Sequence, residues 1–261
     1  MKIAVCVKQV PDSWAQKTMI NGLLDREGVD AVLNDLDEYA VEEALRIVEA
    51  HGGNGEGGAH TITLISMGPA RATDAVRKGL SMGADSAIII TDDALIGSDA
   101  LGTSKVLATV IADQKFDLVL CGTESTDARM SVVPAMLAQR LGWAQLTFAG
   151  SVIVTPDDST VTITRETEAG VDTMKAQFPC VISVIDKINE PRYPSFKGIM
   201  AAKKKPMAVH SLSEIGLGKQ DSWSAVVDAT PRAAKAAGVK VVDDGAGGEA
   251  LLNFLVEKKF A

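Results

Sequence analysis

Three short stretches carry the residue types that could hold a small ligand: Cys6-Val7-Lys8, Ser66-Met67-Gly68-Pro69, and the run from Cys121 and Gly122 through Asp127. Each closes an apolar run, and the last two lead into helical patterns. Small residues let a ligand approach the backbone, and helix N-termini offer free N–H groups to phosphate. Ser125, Thr126 and Ser131 add hydroxyl groups. The chemistry that fits is binding of a phosphate-bearing ligand, although the chain has no G-x-x-x-x-G-K-[ST] loop and no G-x-G-x-x-G after a strand. Two readings stand for Gly122–Ser131: a cradle for a phosphate-bearing ligand, or an ordinary loop whose Thr or Asp caps a helix. For Ser66–Pro69 the alternative is a tight turn.

Catalytic groupings are sparse. His51, His60 and His210 are not paired with a nucleophile, and neither a nucleophile elbow nor a His-Glu metal motif occurs. Cys6 and Cys121 either face a ligand crevice or are plain buried thiols. Trp14 reads as a packing residue or a cofactor stacker. Arg165-Glu166 reads as a surface pair.

The elements that must position these residues follow from periodicity. Lys2–Val7, His60–Ser66, Ser86–Ile90 and Asp117–Cys121 read as strands. Glu38–Ala50, Pro69–Met82, Ser98–Asp113 and Met130–Leu141 read as helices, with Pro69 at a helix start. This alternation predicts an α/β fold: a doubly wound, mainly parallel, Rossmann-like sheet with helices on both faces. After about Leu146 the rhythm changes. Ser151–Val154, Val161–Arg165, Val171–Ala176 and Val181–Ile185 are close-spaced strands, predicted as antiparallel additions or a small sheet beside the first. Thr18–Leu33 is expected to hold a hairpin around Arg26–Gly28. Residues 1–190 are expected to form a nucleotide-binding α/β domain, 191–206 a recognition loop and helix, and 207–261 an extended C-terminal arm that packs on another subunit through Leu212, Ile215, Leu217, Trp223 and Leu255. The arm's alternative is a partly disordered tail.

A formal charge of -8 argues against nucleic-acid binding. The three cysteines are scattered, so neither a disulfide framework nor a structural zinc site is expected. No signal-peptide pattern or membrane-length apolar run is evident, which predicts a cytoplasmic protein without membrane insertion.

Residues 188–205 read I-N-E-P-R-Y-P-S-F-K-G-I-M-A-A-K-K-K. Pro191 and Pro194 stiffen the chain and remove two donors. Tyr193 and Phe196 belong to a set of only 2 Tyr and 6 Phe. Such a stretch fits a contact surface better than a connector, with Tyr193, Pro194, Phe196, Ile199 and Met200 as the touching residues. Lys203–Lys205 either steer acidic partners or form a solvated helix end.

Together these pieces resemble the β subunit of electron transfer flavoprotein, over at least Lys2 to Pro206. The opening I-A-V-C-V-K-Q-V-P-D, the S-M-G-P-A and G-L-S-M-G-A-D stretches, T-R-E-T-E-A-G-V-D-T and above all N-E-P-R-Y-P-S-F-K-G-I-M-A-A-K-K-K carry the likeness. The resemblance implies a heterodimer with an α subunit that holds most of the FAD, while the β subunit holds AMP. It implies an electron carrier rather than a stand-alone enzyme, moving electrons from flavin dehydrogenases of the acyl-CoA dehydrogenase type, as in fatty acid β-oxidation, to a quinone reductase or other acceptor. Carried over by position, the AMP shell comprises Cys6, Asn34, Asp35, Leu36, Asp37, Met67, Gly68, Gly122, Thr126, Asp127, Met130, Ser131, Val132 and Val133. Phosphate is expected near the N-terminus of the helix beginning around Met130. The loop departs from the amide-rich pattern of many members, and Ser13 stands where others carry an aromatic that reaches the flavin. Phe196 replaces a leucine found in some members. The alternatives are a homodimeric nucleotide sensor, or a bifurcating relative with a second FAD in the AMP slot. The bifurcating members' Asp-Gly-Asp-Thr loop is absent here, which favours AMP.

Overall fold

The computed structural model describes residues 1–55, 57–230 and 232–260. They fall into two units, Met1–Val227 and Asp228–Ala261.

The apolar runs become strands because both of their faces are covered. In β1 (Lys2–Cys6), Ile3 and Val5 point to one layer and Ala4 and Cys6 to the other, all buried. The chain then forms β2 (Gln9–Pro11), β3 (Met19–Ile20), β4 (Leu23–Leu24), β5 (Ala31–Leu33), α1 (Asp35–Ala50), β6 (Thr61–Met67), α2 (Ala72–Met82), β7 (Ser86–Ile90), α3 (Ala100–Gln114) and β8 (Leu118–Gly122). Next come α4 (Val133–Leu141), β9 (Ala144–Ala149), β10 (Ser151–Thr155), β11 (Thr160–Thr167), β12 (Gly170–Gln177), β13 (Cys180–Val184), α5 (Phe196–Ala202) and β14 (Met207–His210).

The central sheet has the order β14-β7-β6-β1-β8-β13-β9. Every neighbouring pair in it is parallel. One face packs on α1 and α2 through Ala40, Val41, Ala44, Leu45, Val76 and Leu80. The other packs on α3 and α4 through Val106, Val110, Ile111 and Leu137. The chain builds outward from β1 to β6 and β7, then returns to the other side at β8. The switch point therefore lies between the carboxyl ends of β1 and β8, where such sheets open a crevice.

The α/β, mainly parallel, Rossmann-like expectation holds, with antiparallel sheets added. β10, β11 and β12 form a separate antiparallel sheet. The last of the four expected late strands differs: β13 joins the central parallel sheet between β8 and β9. All five of its residues are buried, as an interior parallel strand requires. β9, its edge neighbour, was not expected at all, because half of its residues are exposed and its apolar signal is weak.

Several boundaries move. The first helix starts at Asp35 rather than Glu38, with Asn34 at its N-cap and Asp35, Asp37 and Glu38 in the first turn, where carboxylates suit the helix dipole. α2 starts at Ala72, and Pro69 sits in the turn before it, its carbonyl accepting from the Ala72 N–H at 2.8 Å. The early hairpin turns at Asn21-Gly22, both left-handed, rather than around Arg26–Gly28. That dipeptide matches the turn twist that hairpins favour.

The opening of the expected arm, Met207–His210, is the edge strand β14, paired with β7. Leu212 is buried beyond it, beside Ile215 and Leu217. The N–H groups of Trp223 and Ser224 reach Asp99 Oδ2 at 2.7 and 3.2 Å. The second unit carries α6 (Gly247–Glu257), whose Leu251, Leu252, Phe254 and Val256 are all exposed.

Candidate nucleotide crevice and docking segment

At the switch point, β1 and β8 end beside the N-terminus of α1. Asn34 is fully buried there, yet its side chain does not cap its own helix. Its Nδ2 donates to the Glu124 carbonyl at 2.9 Å, and its Oδ1 accepts from the Thr126 N–H at 3.0 Å. One amide thus holds the loop after β8 against α1. Gly122 is required by the same approach. A Cβ there would stand 2.6 Å from the Leu36 carbonyl oxygen and 2.7 Å from Asp37 Oδ1.

Asp37 is buried, and its Oδ2 accepts from the Lys8 N–H at 2.8 Å. Burial pushes its carboxyl up to about 7, only partly opposed by hydrogen bonds from Asn34 and Lys8. Asp127 behaves in the opposite way. Burial works against its charge, but the Lys8 ammonium at 2.7 Å and the Arg26 guanidinium at 2.6 Å outweigh it, holding the carboxyl down at about 2. Lys8 Nζ also donates to Ser125 Oγ at 3.2 Å. Two cations therefore stand against one carboxylate at the mouth of the loop.

Met130 is exposed, and Ser131 Oγ donates to Glu124 Oε2 at 3.0 Å. The helix expected to begin around Met130 begins at Val133 instead. Arg129 and Ser131 are left-handed, at φ 51° and 55°, and residues in that conformation do not continue a right-handed helix. Val132 then returns to the right-handed region, a succession that turns backbone N–H groups toward a common side, as anion-binding nests do. Met67 and Gly68 sit at the end of β6, beside β1. Ser66 Oγ, one residue earlier, is buried and without a partner.

Cys6 and Cys121 are paired across β1 and β8, both buried. Contact with Cys6 and burial push the Cys121 thiol far up, so it is a poor nucleophile. Among the described residues no cluster of His, Cys, Asp or Glu is arranged to hold a metal ion, and no helix is long and apolar enough to cross a membrane.

The structure thus brings Cys6, Asn34, Leu36, Asp37, Gly122, Thr126 and Asp127 together; Met67 and Val133 pack on the layer that holds Cys6 and Cys121, Ser131 joins through Glu124, and Gly68 and Val132 follow Met67 and Ser131 in the chain. Asp35 is exposed on the first turn of α1. Sequence reasoning missed Arg26, which reaches Asp127 from the loop between β4 and β5; nothing in its local pattern marks it. Trp14 is 94% exposed, on an open depression of about 650 Å³ that it lines with Asp12 and Arg71.

The candidate docking segment lies at the other end of the sheet, against the C-terminal turn of α2. Ser195 caps α5, its Oγ accepting from the Gly198 N–H at 3.1 Å. Gly198 presses on the C-terminal turn of α2, where a Cβ would stand 2.5 Å from the Ser81 carbonyl oxygen. Tyr193 and Phe196 are 97% and 81% exposed, and Ile199 and Met200 are exposed as well. Pro194 lies in the loop between the two aromatics. Of the three lysines, Lys205 is not free to steer anything. Its Nζ donates to the carbonyls of Leu80, Gly83 and Ala84 at 3.0, 3.2 and 2.6 Å, capping α2.

Residues 21–215 match the family model described as "Electron transfer flavoprotein domain". The chain is 46% identical to the "Electron transfer flavoprotein subunit beta" of Mycobacterium tuberculosis (strain ATCC 25618 / H37Rv), over 98% of both chains. It is 35% identical to the protein of the same name from Megasphaera elsdenii, over 100% of this chain and 98% of the relative. The Bradyrhizobium diazoefficiens protein of that name is 36% identical, over 93% of this chain and 94% of the relative.

Proposed function

The chain belongs to the electron transfer flavoprotein family, and from that premise we propose that it is the β subunit of a heterodimer that carries electrons from flavin dehydrogenases to a quinone reductase or another acceptor. The proposal includes AMP in the switch-point crevice and FAD held mostly by the α subunit.

One convergence carries the nucleotide part. The buried Asn34 amide, the close approach of Gly122, and Lys8 with Arg26 meet at the end of β8. These residues fit a mononucleotide. The two cations and the N–H groups following Ser131 suit a phosphate, and the orphaned Ser66 hydroxyl is a buried group that a bound polar atom would satisfy. Asn34 would hold the loop in register, while Asp37 would orient Lys8. AMP in this position is structural, lying at the carboxyl end of the sheet beside the loop that Asn34 holds against α1.

FAD supplies the redox chemistry when bound; protein groups set its exposure and electrostatics. In this chain Trp14, projecting beside Arg71, is the group offered toward the α subunit's flavin, in the stead of the aromatic that Ser13 replaces. Tyr193, Pro194, Phe196, Ile199 and Met200 form the surface that meets the dehydrogenase, with Phe196 as the apolar anchor.

Co-expression with the α partner tests the reading. The expected result is a yellow equimolar complex that releases one AMP on acid treatment. A colourless homodimer that binds nucleotide overturns it, and a second FAD in place of AMP overturns the nucleotide assignment.

A further inference from the structure

The docking segment shows a contrast that its proposed role leaves unexplained: its aromatic tips touch almost nothing, yet its base is bolted down. Arg192 provides the bolt. Its Nε and Nη2 donate to the two Glu42 carboxylate oxygens at 2.7 and 3.0 Å, and its backbone N–H donates to Glu42 Oε2 at 3.1 Å. Nη1 and Nη2 donate to the two Glu49 oxygens at 2.6 and 3.0 Å. Glu42 and Glu49 lie two turns apart on one face of α1, so a single planar guanidinium spans both.

Glu42 is itself buried, an unusual place for a carboxylate unless it is paired. Asn189 adds a second tie, donating to Glu43 Oε2 at 3.0 Å and to the Tyr39 carbonyl at 3.1 Å. On the far side of the aromatics, α5 is held on α2 by the Gly198 contact and by Arg77, which donates to the Ala202 carbonyl at 2.9 Å. Tyr193 and Phe196 therefore stand between two anchors on two different helices, with Pro191 and Pro194 stiffening the span. Ordering a loop at the moment of association costs affinity, and a loop ordered beforehand avoids that cost.

We propose that Arg192 is the positioning residue of the docking segment: by bridging Glu42 and Glu49 it holds Tyr193 and Phe196 in their binding geometry before the partner arrives. The inference rests on the docking reading given under Proposed function and adds the residue that makes the surface rigid.

The test uses the α–β heterodimer carrying Arg192→Gln, Arg192→Lys or, in parallel, Phe196→Ala. An acyl-CoA dehydrogenase from the same genome, reduced with octanoyl-CoA, serves as electron donor, with the heterodimer as the varied acceptor. Arg192→Gln is expected to raise KM for the heterodimer about tenfold with kcat within about twofold. Flavin content stays unchanged, and amide exchange over residues 190–200 of the free heterodimer speeds up. Arg192→Lys keeps the charge without the fork and falls between. Because Arg192→Gln strands a buried carboxylate, Glu42→Gln/Arg192→Gln is measured as well, and its KM stays raised. If Phe196→Ala raises KM while both Arg192→Gln proteins keep normal KM and normal exchange, the positioning role is overturned alone. If Phe196→Ala leaves KM unchanged, the docking reading falls and the inference falls with it.

Discussion

Asn34 and Thr126 lie far apart in sequence, yet the buried Asn34 Oδ1 accepts from the Thr126 N–H at 3.0 Å while its Nδ2 holds the Glu124 carbonyl. A residue at the start of α1 thereby decides where the loop after β8 runs. Asn34→Ala should leave both loop groups without partners and cost about 1–3 kcal/mol of stability. AMP recovered per heterodimer should fall in step. Full retention of AMP with an unchanged urea midpoint would remove Asn34 from the site.

Gly122 and Gly198 make the same demand at opposite ends of the sheet. Gly122→Ala drives a Cβ into the backbone of α1, and Gly198→Ala into the backbone of α2. Each should cost about 1–3 kcal/mol. Gly218→Ala, with nothing within 4 Å of its Cβ position, should stay within about 0.5 kcal/mol of the parent. Only Gly122→Ala should lower AMP content, and only Gly198→Ala should raise KM for the dehydrogenase. Thermal midpoints and the two binding readouts together check the set.

Asp37 imposes a pH dependence with a definite sign. Its carboxyl rises from 3.8 to about 7 on folding, with burial as the main cause, so the folded chain binds more protons across that window. Its contribution to stability is complete below pH 4, is lost as pH rises toward 7, and is level beyond. Asp37→Asn should flatten this part of the curve. The urea midpoint of the parent should drop more between pH 5 and pH 8 than that of the variant, and equal drops would contradict the assignment.

Lys205 should differ from its neighbours. Lys205→Met removes a side chain that serves three carbonyls at the end of α2 and should cost roughly 1–2 kcal/mol. Lys203→Met and Lys204→Met should leave the thermal midpoint within about 0.5 kcal/mol of the parent. Ionic-strength dependence of electron transfer should weaken only in those two variants. Thermal midpoints and salt titrations of the rate decide between steering and capping at each position.

The doubly wound alternation was legible in the sequence because it is local, and so were the strand ends and the aromatic-bearing stretch after Ile188 as features of the chain. Burial on both faces makes β1 and β8 continuous apolar runs, and Pro191, Tyr193, Pro194 and Phe196 stand out against a chain poor in aromatics. What only the tertiary structure decided is which residues meet across the sheet. β13 carries the same apolar signal as a strand of either kind, and its place between β8 and β9 depends on neighbours distant in sequence. Arg26 reaches Asp127, Lys205 closes α2 and Arg192 bridges Glu42 and Glu49 through contacts that no local period records. Periodicity encodes which face of an element is buried; long-range pairing of charges and amides depends on where the sheet brings the elements, and that is set by the packing of the whole core.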